Sequence, residues 1–149
     1  MRKIAILVTI LGAALSPCDG LFARDQDAQV KALVEQGVAM VKQQGKDDTL
    51  RAINDLKGPF VKGELYLFAN SLNNISLAVG SPYNKPLIGK DVSNLKIVLR
   101  MTEIAKGQGA GWLEYSWPKP REDTPTPKKS YIMRVPGQDF YIGCGYYLK

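Results

Sequence analysis

The sequence predicts an α+β domain in which a long N-terminal helix packs on a five-stranded antiparallel sheet. Three observations predict it. Ala28, Val30, Leu33, Val34, Val38 and Val41 recur at three- and four-residue steps with Gln, Lys and Glu between them, which is the period of an amphipathic helix. After Gly63 the pattern changes to β-rich runs bounded by Asn, Gly and Pro, the boundaries expected of strands. A second helical pattern interrupts these runs once, so the order is two helices, a hairpin, a helix and three antiparallel strands.

The first helix is expected from Arg24 to about Gln44 and is ended by Gly45. Asp48 or Thr49 can cap a short second helix from Leu50 to about Asp55, because their side-chain oxygens accept from free N–H groups of a first turn. Lys57-Gly58-Pro59 breaks that pattern. The run Glu64 to Asn70 then forms a strand, and Asn73-Asn74 turns it into a partner from Ile75 to Val79. Gly80 to Asp91 holds two prolines and two glycines and reads as a loop. Ser93 to about Lys106 is helical, with Leu95, Val98, Leu99, Thr102 and Ile104-Ala105 as its apolar face.

Gly107 to Gly111 stops this helix, and Trp112 to Trp117 follows as a strand in which Leu113 and Tyr115 face opposite to Trp112 and Glu114. Pro118 to Pro127 holds four prolines and is expected to be a mobile loop. Lys129–Val135 and Phe140–Leu148 are two further strands, joined through Pro136-Gly137-Gln138-Asp139, a tight-turn sequence. One sheet with helices on a face satisfies the layer rule, and the element order is that of a PAS-like sensor fold.

The chain opens Met1-Arg2-Lys3 and then runs from Ile4 to Ser16 without a charge. A basic start followed by a short apolar stretch is the pattern of a secretory signal, and the stretch falls short of the roughly 20 residues of a membrane-spanning helix. Residues 1–23 are therefore expected to be a signal peptide and residues 24–149 one domain, with a periplasmic location. Leu15-Ser16-Pro17-Cys18 resembles a lipoprotein box with Cys18 as the lipidation site, and stands as the alternative to cleavage after Ala23. The net charge of the whole chain is +6, but Lys and Arg are scattered from Lys31 to Lys149, with one cluster at Lys128-Lys129. A nucleic-acid partner needs a focused basic surface, so none is expected.

The chain contains no histidine and two cysteines, Cys18 and Cys144. This excludes the common zinc sites, a Ser-His-Asp triad, a Cys-His pair and C-x-x-C-H haem attachment. No cofactor, metal or catalytic residue is predicted. Gly107 to Gly111 reads G-x-G-x-G, but it follows a helix instead of opening one after a strand, contrary to a phosphate-binding turn. Asp47-Asp48 and Glu122-Asp123 read as solvated turn acids, and Cys144 as a small buried residue.

What remains is a stretch rich in aromatic residues with polar handles, from Trp112 to Trp117 and again at Lys129-Ser130-Tyr131. Tyr and Trp can line a pocket with apolar surface and still donate a hydrogen bond, and a lysine beside them can neutralise a carboxylate. The same residues could form a plain sheet core with Lys129 solvated, since strands favour aromatic residues.

A resemblance bears on that choice. Lys57-Gly58-Pro59-Phe60, Leu65-Tyr66-Leu67-Phe68 and Leu87-Ile88-Gly89-Lys90 resemble the single Cache domain family (the type 2 group) of bacterial extracytoplasmic sensors. The block G-W-x-x-Y-x-W-P from Gly111 to Pro118, the following K-x-S-Y, and Ile142 to Tyr147 continue it in the family's order, over roughly Val30 to Leu148. The resemblance implies a PAS-like module for short carboxylates such as acetate, propionate, pyruvate or lactate, with Tyr66, Phe68, Trp112, Tyr115, Trp117, Lys129 and Tyr131 around the pocket. In the roles expected here, Lys129 is the counter-charge, Tyr115 and Tyr131 are hydroxyl donors, and Trp112 and Phe68 are apolar walls. Alternation places Lys129 and Tyr131 on one face. Arg100 and Arg134 are alternative counter-charges. One departure is Ala78-Val79-Gly80, where members of the family often read A-H-P.

The expected function is a stand-alone, extracytoplasmic sensor-type domain for a small organic anion, and not an enzyme. The alternative is a ligand-free interaction module that contacts a membrane receptor. The long first helix could also pair with its copy in a homodimer.

Overall fold

A computed structural model of the chain describes residues 18–149, with side chains from Phe22 onward. The expected apolar leader lies outside the described residues. Helix α1 spans Cys18–Gln44, so it begins before the expected Arg24, and no described helix is long and apolar enough to cross a membrane. Helix α2 spans Lys46–Asn54 and follows almost without a break. The expected cap at Asp48 or Thr49 is corrected to Gly45, whose φ of 92° turns the chain in a region that side chains disfavour. Asp47 and Asp48 then lie in the first helical turn, where negative charge offsets the helix dipole.

The run expected as one strand from Glu64 divides at Leu67. Strands β1 (Val61–Lys62) and β2 (Leu65–Tyr66) form a small hairpin around Gly63, and β3 covers Phe68–Ser71. Strand β4 (Ser76–Val79) returns through a turn in which Asn74 takes a φ of 63° and the Ser71 hydroxyl accepts from the N–H groups of Asn73 and Ile75. A short 3-10 turn at Lys85–Leu87 precedes α3 (Lys96–Gly107). Strands β5 (Ala110–Pro118), β6 (Pro125–Arg134) and β7 (Phe140–Tyr147) complete a five-stranded antiparallel sheet of order β4-β3-β7-β6-β5.

Strand β6 starts at Pro125, within the segment expected as a loop. Its pairing with β7 ends at Lys128↔Tyr147, while its pairing with β5 continues to Pro125. Pro125 and Pro127 therefore lie where one side of the strand has no ladder partner, and their missing donors cost little there.

Helices cover both faces of the sheet, not one. On the first face Val30, Leu33 and Val34 of α1 pack with Tyr131, Phe140 and Ile142. On the second, Met101 and Ala105 of α3 pack with Leu113, Ile132 and Tyr141. Strand β7 is buried along its whole length because it lies in the middle of this arrangement, and its side chains alternate between the two cores.

Candidate functional site

The α3 core does not reach the far end of its sheet face. Where β5, β6 and β7 run on past the helix, a cavity of about 60 Å³ remains. Its floor carries Phe68, Tyr115, Trp117 and Lys128 from the sheet, with Tyr66 beside them. Its roof is Val92, Leu95, Val98 and Met101, supplied by the start of α3 and the segment before it. Asn84 and Leu87 close one side from the loop after β4. The volume is well below the several hundred Å³ of drug-sized pockets, so it suits a molecule of few heavy atoms.

Two glycines in β7 shape the floor. A Cβ at Gly143 would collide with the Phe68 ring, and one at Gly145 would collide with the Ser130 hydroxyl and approach the Lys129 carbonyl oxygen to 2.5 Å. Their bareness lets Phe68 lie across the sheet and lets Ser130 reach the Tyr115 hydroxyl at 2.9 Å.

Tyr115, Lys128 and Tyr147 stand side by side on three neighbouring strands, since Lys128 pairs with Tyr115 on one side and Tyr147 on the other. Lys128 is 2% exposed. Its ammonium donates to the Tyr66 hydroxyl at 3.1 Å and lies 4.6 Å and 4.9 Å from the ring centres of Tyr66 and Tyr147. The rings offer cation–π attraction, yet no carboxylate among the described residues pairs with it. Burial accordingly pushes the Lys128 ammonium down to about 8, because removal from water disfavours the charged form. Burial likewise pushes the Tyr66 phenol up to about 12 and raises Tyr115 and Tyr147, so at neutral pH these three remain hydroxyl groups.

Other polar groups of the floor are already paired. Asn70 donates to the Tyr141 hydroxyl at 3.1 Å. Asn84 donates to the Tyr66 hydroxyl at 3.4 Å, and Tyr147 donates to the Pro118 carbonyl at 2.7 Å. The cavity opens toward a crevice between the loop at Ser81–Asn84 and the loop at Lys119–Asp123. Arg121 bridges the two loops by donating to the Tyr83 hydroxyl at 2.9 Å.

Of the seven residues expected around a pocket, Tyr66, Phe68, Tyr115 and Trp117 line this cavity. Lys129, Trp112 and Tyr131 do not line it. They lie on the opposite face, where Lys129 contacts Asp27 of α1 at 2.7 Å and lies 4.6 Å from the centre of the Trp112 ring. Trp112 and Tyr131 pack together at 5.1 Å between ring centres. The reason is the two-residue period of a strand: any face that holds Tyr115 excludes Trp112, and pairing then carries Lys128 with Tyr115 and Tyr131 with Trp112. Arg100 and Arg134 are exposed and outside the cavity, with Arg134 turned to the Gln138 carbonyl. Sequence reasoning missed Lys128, although the K-x-S-Y motif begins at it, and it missed Asn84 and the α3 roof, which no strand period indicates.

Cys144 is a buried free cysteine whose thiol is pushed up to about 12 by burial, as expected of a packing residue. Among the described residues, no group of His, Cys, Asp and Glu side chains could hold a metal ion.

A small, partly open cavity between the second face of a five-stranded antiparallel sheet and the loops before α3, with a long helix on the first face, is the arrangement of a PAS-like domain. Residues 29–149 match the Cache domain family, and the chain belongs to it. Its fold is similar to a Cache chemosensory domain solved to explain carboxylic acid recognition, at 21% identity over 90% of this chain and 100% of that one, with a TM-score of 0.72. It is also similar to the periplasmic sensor domain of a chemotaxis protein, at 23% identity over 90% and 100% of the two chains with a TM-score of 0.68. A methyl-accepting chemotaxis protein from Vibrio parahaemolyticus shares 20% identity over 86% of this chain and 92% of its own, with a TM-score of 0.69. At these identities the likeness is one of fold.

Proposed function

We propose that this domain binds a short organic monocarboxylate outside the cytoplasm, with Lys128 as the counter-charge. The observation that carries the proposal is the lysine itself: a cation 2% exposed, facing an apolar cavity, with no anionic side chain among the described residues paired to it. A buried unpaired charge is strongly unfavourable, and a bound carboxylate would relieve that cost through a charge-assisted hydrogen bond. Tyr66 and Tyr115 supply hydroxyls at the same end, while Val92, Leu95, Val98 and Met101 suit a short alkyl tail. The Cache chemosensory neighbour studied for carboxylic acid recognition supports the ligand class. The periplasmic sensor domain among the neighbours supports the location.

Thermal unfolding with acetate, propionate, pyruvate and lactate tests the reading. A ligand at 100 times its Kd should stabilise the fold by about 2.7 kcal/mol, and Lys128→Met should abolish the shift. The proposal fails if none of these acids raises the Tm, or if Lys128→Met responds as the parent does.

A further inference from the structure

Among the described lysines only Lys128 is buried, and its placement allows more than the holding of an anion. A lysine amine in an apolar pocket is a nucleophile for carbonyl carbon, because loss of water favours the uncharged form that carries a lone pair. Burial pushes Lys128 down to about 8. At pH 7 roughly one molecule in ten then carries the free amine, against fewer than about one in a thousand for an exposed lysine.

The surroundings suit a small uncharged electrophile. No Asp, Glu, Arg, Cys or second Lys lines the cavity, so a neutral molecule enters without burying a further charge. Val92, Leu95, Val98 and Met101 form an apolar roof over a space of about 60 Å³, enough for a short alkyl chain. The Tyr66 hydroxyl lies 3.1 Å from the Lys128 nitrogen, and burial keeps it protonated at neutral pH.

We propose that Lys128 is a covalent capture site for short aliphatic aldehydes, which it holds as a reversible imine. The amine lone pair attacks the carbonyl carbon, and the C=O π pair moves to oxygen. That oxygen takes a proton as nitrogen gives one up, with the Tyr66 hydroxyl within reach to relay it. The carbinolamine then loses its hydroxyl with a second proton as water and leaves a C=N bond at Nζ. One aldehyde and one amine give one imine and one water, with no oxidant or reductant, and hydrolysis reverses the step. The neutral imine removes the buried positive charge, and its nitrogen accepts from the Tyr66 hydroxyl. The ammonium form of Lys128 would hold a carboxylate and the amine form an aldehyde, so this proposal does not rest on carboxylate binding.

Propionaldehyde with sodium cyanoborohydride at neutral pH tests it on the full chain, since the reductant converts an imine to a stable N-propyl lysine that peptide mass mapping locates. Lys128 should be labelled at least about 10-fold faster than the exposed lysines, from its surplus of free amine. The preference should vanish in denaturing urea. It should also be lost with trimethylacetaldehyde, whose branched carbon is too bulky for the cavity. Labelling of Lys128 no faster than that of exposed lysines overturns the proposal, as does a preference that survives urea or is equal for the two aldehydes. Saturating propionate should slow labelling at Lys128 alone. Fast labelling that propionate leaves unchanged would sink the carboxylate reading while supporting aldehyde capture.

Discussion

Lys128 and Lys129 are consecutive residues of β6 that act on opposite sides of the sheet. Lys128 donates to the Tyr66 hydroxyl at 3.1 Å beside the cavity, whereas Lys129 meets Asp27 of α1 at 2.7 Å. Asp27 also accepts from the Tyr146 hydroxyl at 2.9 Å, so Lys129 belongs to a satisfied cluster that ties the helix to the sheet. The two lysines should therefore respond oppositely to removal. Lys128→Met should leave the free protein as stable or up to about 3 kcal/mol more stable, since an unpaired buried charge is replaced by an apolar chain, and it should lose carboxylate binding. Lys129→Met should lower stability by about 1 kcal/mol through the exposed loss of a partly buried pair and keep the parent's affinity. Urea unfolding and ligand titration of both variants check this.

The depressed Lys128 ammonium gives a pH dependence with a definite sign. Its folded value of about 8 lies below the usual 10.5, so between these values the unfolded chain binds more protons and stability rises with pH. The unfavourable charge is fully present below about pH 8 and is relieved as pH climbs toward 10. Above that, the raised Tyr66, whose folded value is about 12, opposes the gain because unfolded tyrosine ionises first. The stability of the parent relative to Lys128→Met should therefore rise by on the order of 2 kcal/mol between pH 8 and 10, while the raised Cys144 thiol and tyrosine hydroxyls lower both proteins alike toward pH 10. Carboxylate affinity should move the other way and fall above about pH 8, as the protonated lysine becomes scarce. Denaturant midpoints and calorimetry across this range read both trends.

Much of this architecture is legible in the sequence because it depends on local periods. The α1 stripe of Val30, Leu33, Val34 and Val41 is buried as its spacing requires, and the Pro136–Asp139 segment joins β6 to β7. The site was legible only in part. Tyr66, Phe68, Tyr115 and Trp117 share the cavity, whereas Trp112 and Tyr131 lie on the other face, as alternation along β5 requires of Trp112 relative to Tyr115. Lys128 and Lys129 differ in face for the same reason, since one residue of displacement in a strand reverses it. Asn84 and the α3 roof depend on where a loop and a helix dock, which is tertiary information that no local period carries.

The floor of the cavity should be sensitive to the smallest added volume. Gly143→Ala places a methyl in the Phe68 ring and near the Ile132 Cδ1 at 2.9 Å. Overpacking of this kind costs about 1–3 kcal/mol, and relief by moving Phe68 would intrude on the cavity. Gly143→Ala should therefore lower both stability and carboxylate affinity. Gly137→Ala is the control: its φ of 75° strains any side chain, but nothing lies within 4 Å of the added Cβ, so it should lower stability and leave affinity unchanged. Chemical denaturation with parallel ligand titration separates the two.

The Arg121–Tyr83 hydrogen bond spans the crevice outside the cavity, and both residues are exposed. An exposed pair contributes little to global stability, so Tyr83→Phe should change the unfolding free energy by less than about 0.5 kcal/mol. The contact nevertheless joins the two loops that flank the route from solvent to Lys128. Removing the Tyr83 hydroxyl frees them from one another without touching the floor or the roof of the cavity. A ligand held at Lys128 should then leave about 3- to 10-fold faster, the effect of one hydrogen bond lost from the closed arrangement. Arg121→Ala should match Tyr83→Phe, and the double variant should be no faster than either alone, because each removes the same interaction. Stopped-flow dissociation of a carboxylate from the parent and the three variants measures this. Additive acceleration in the double variant would mean that the two side chains act separately and that their hydrogen bond does not hold the loops together.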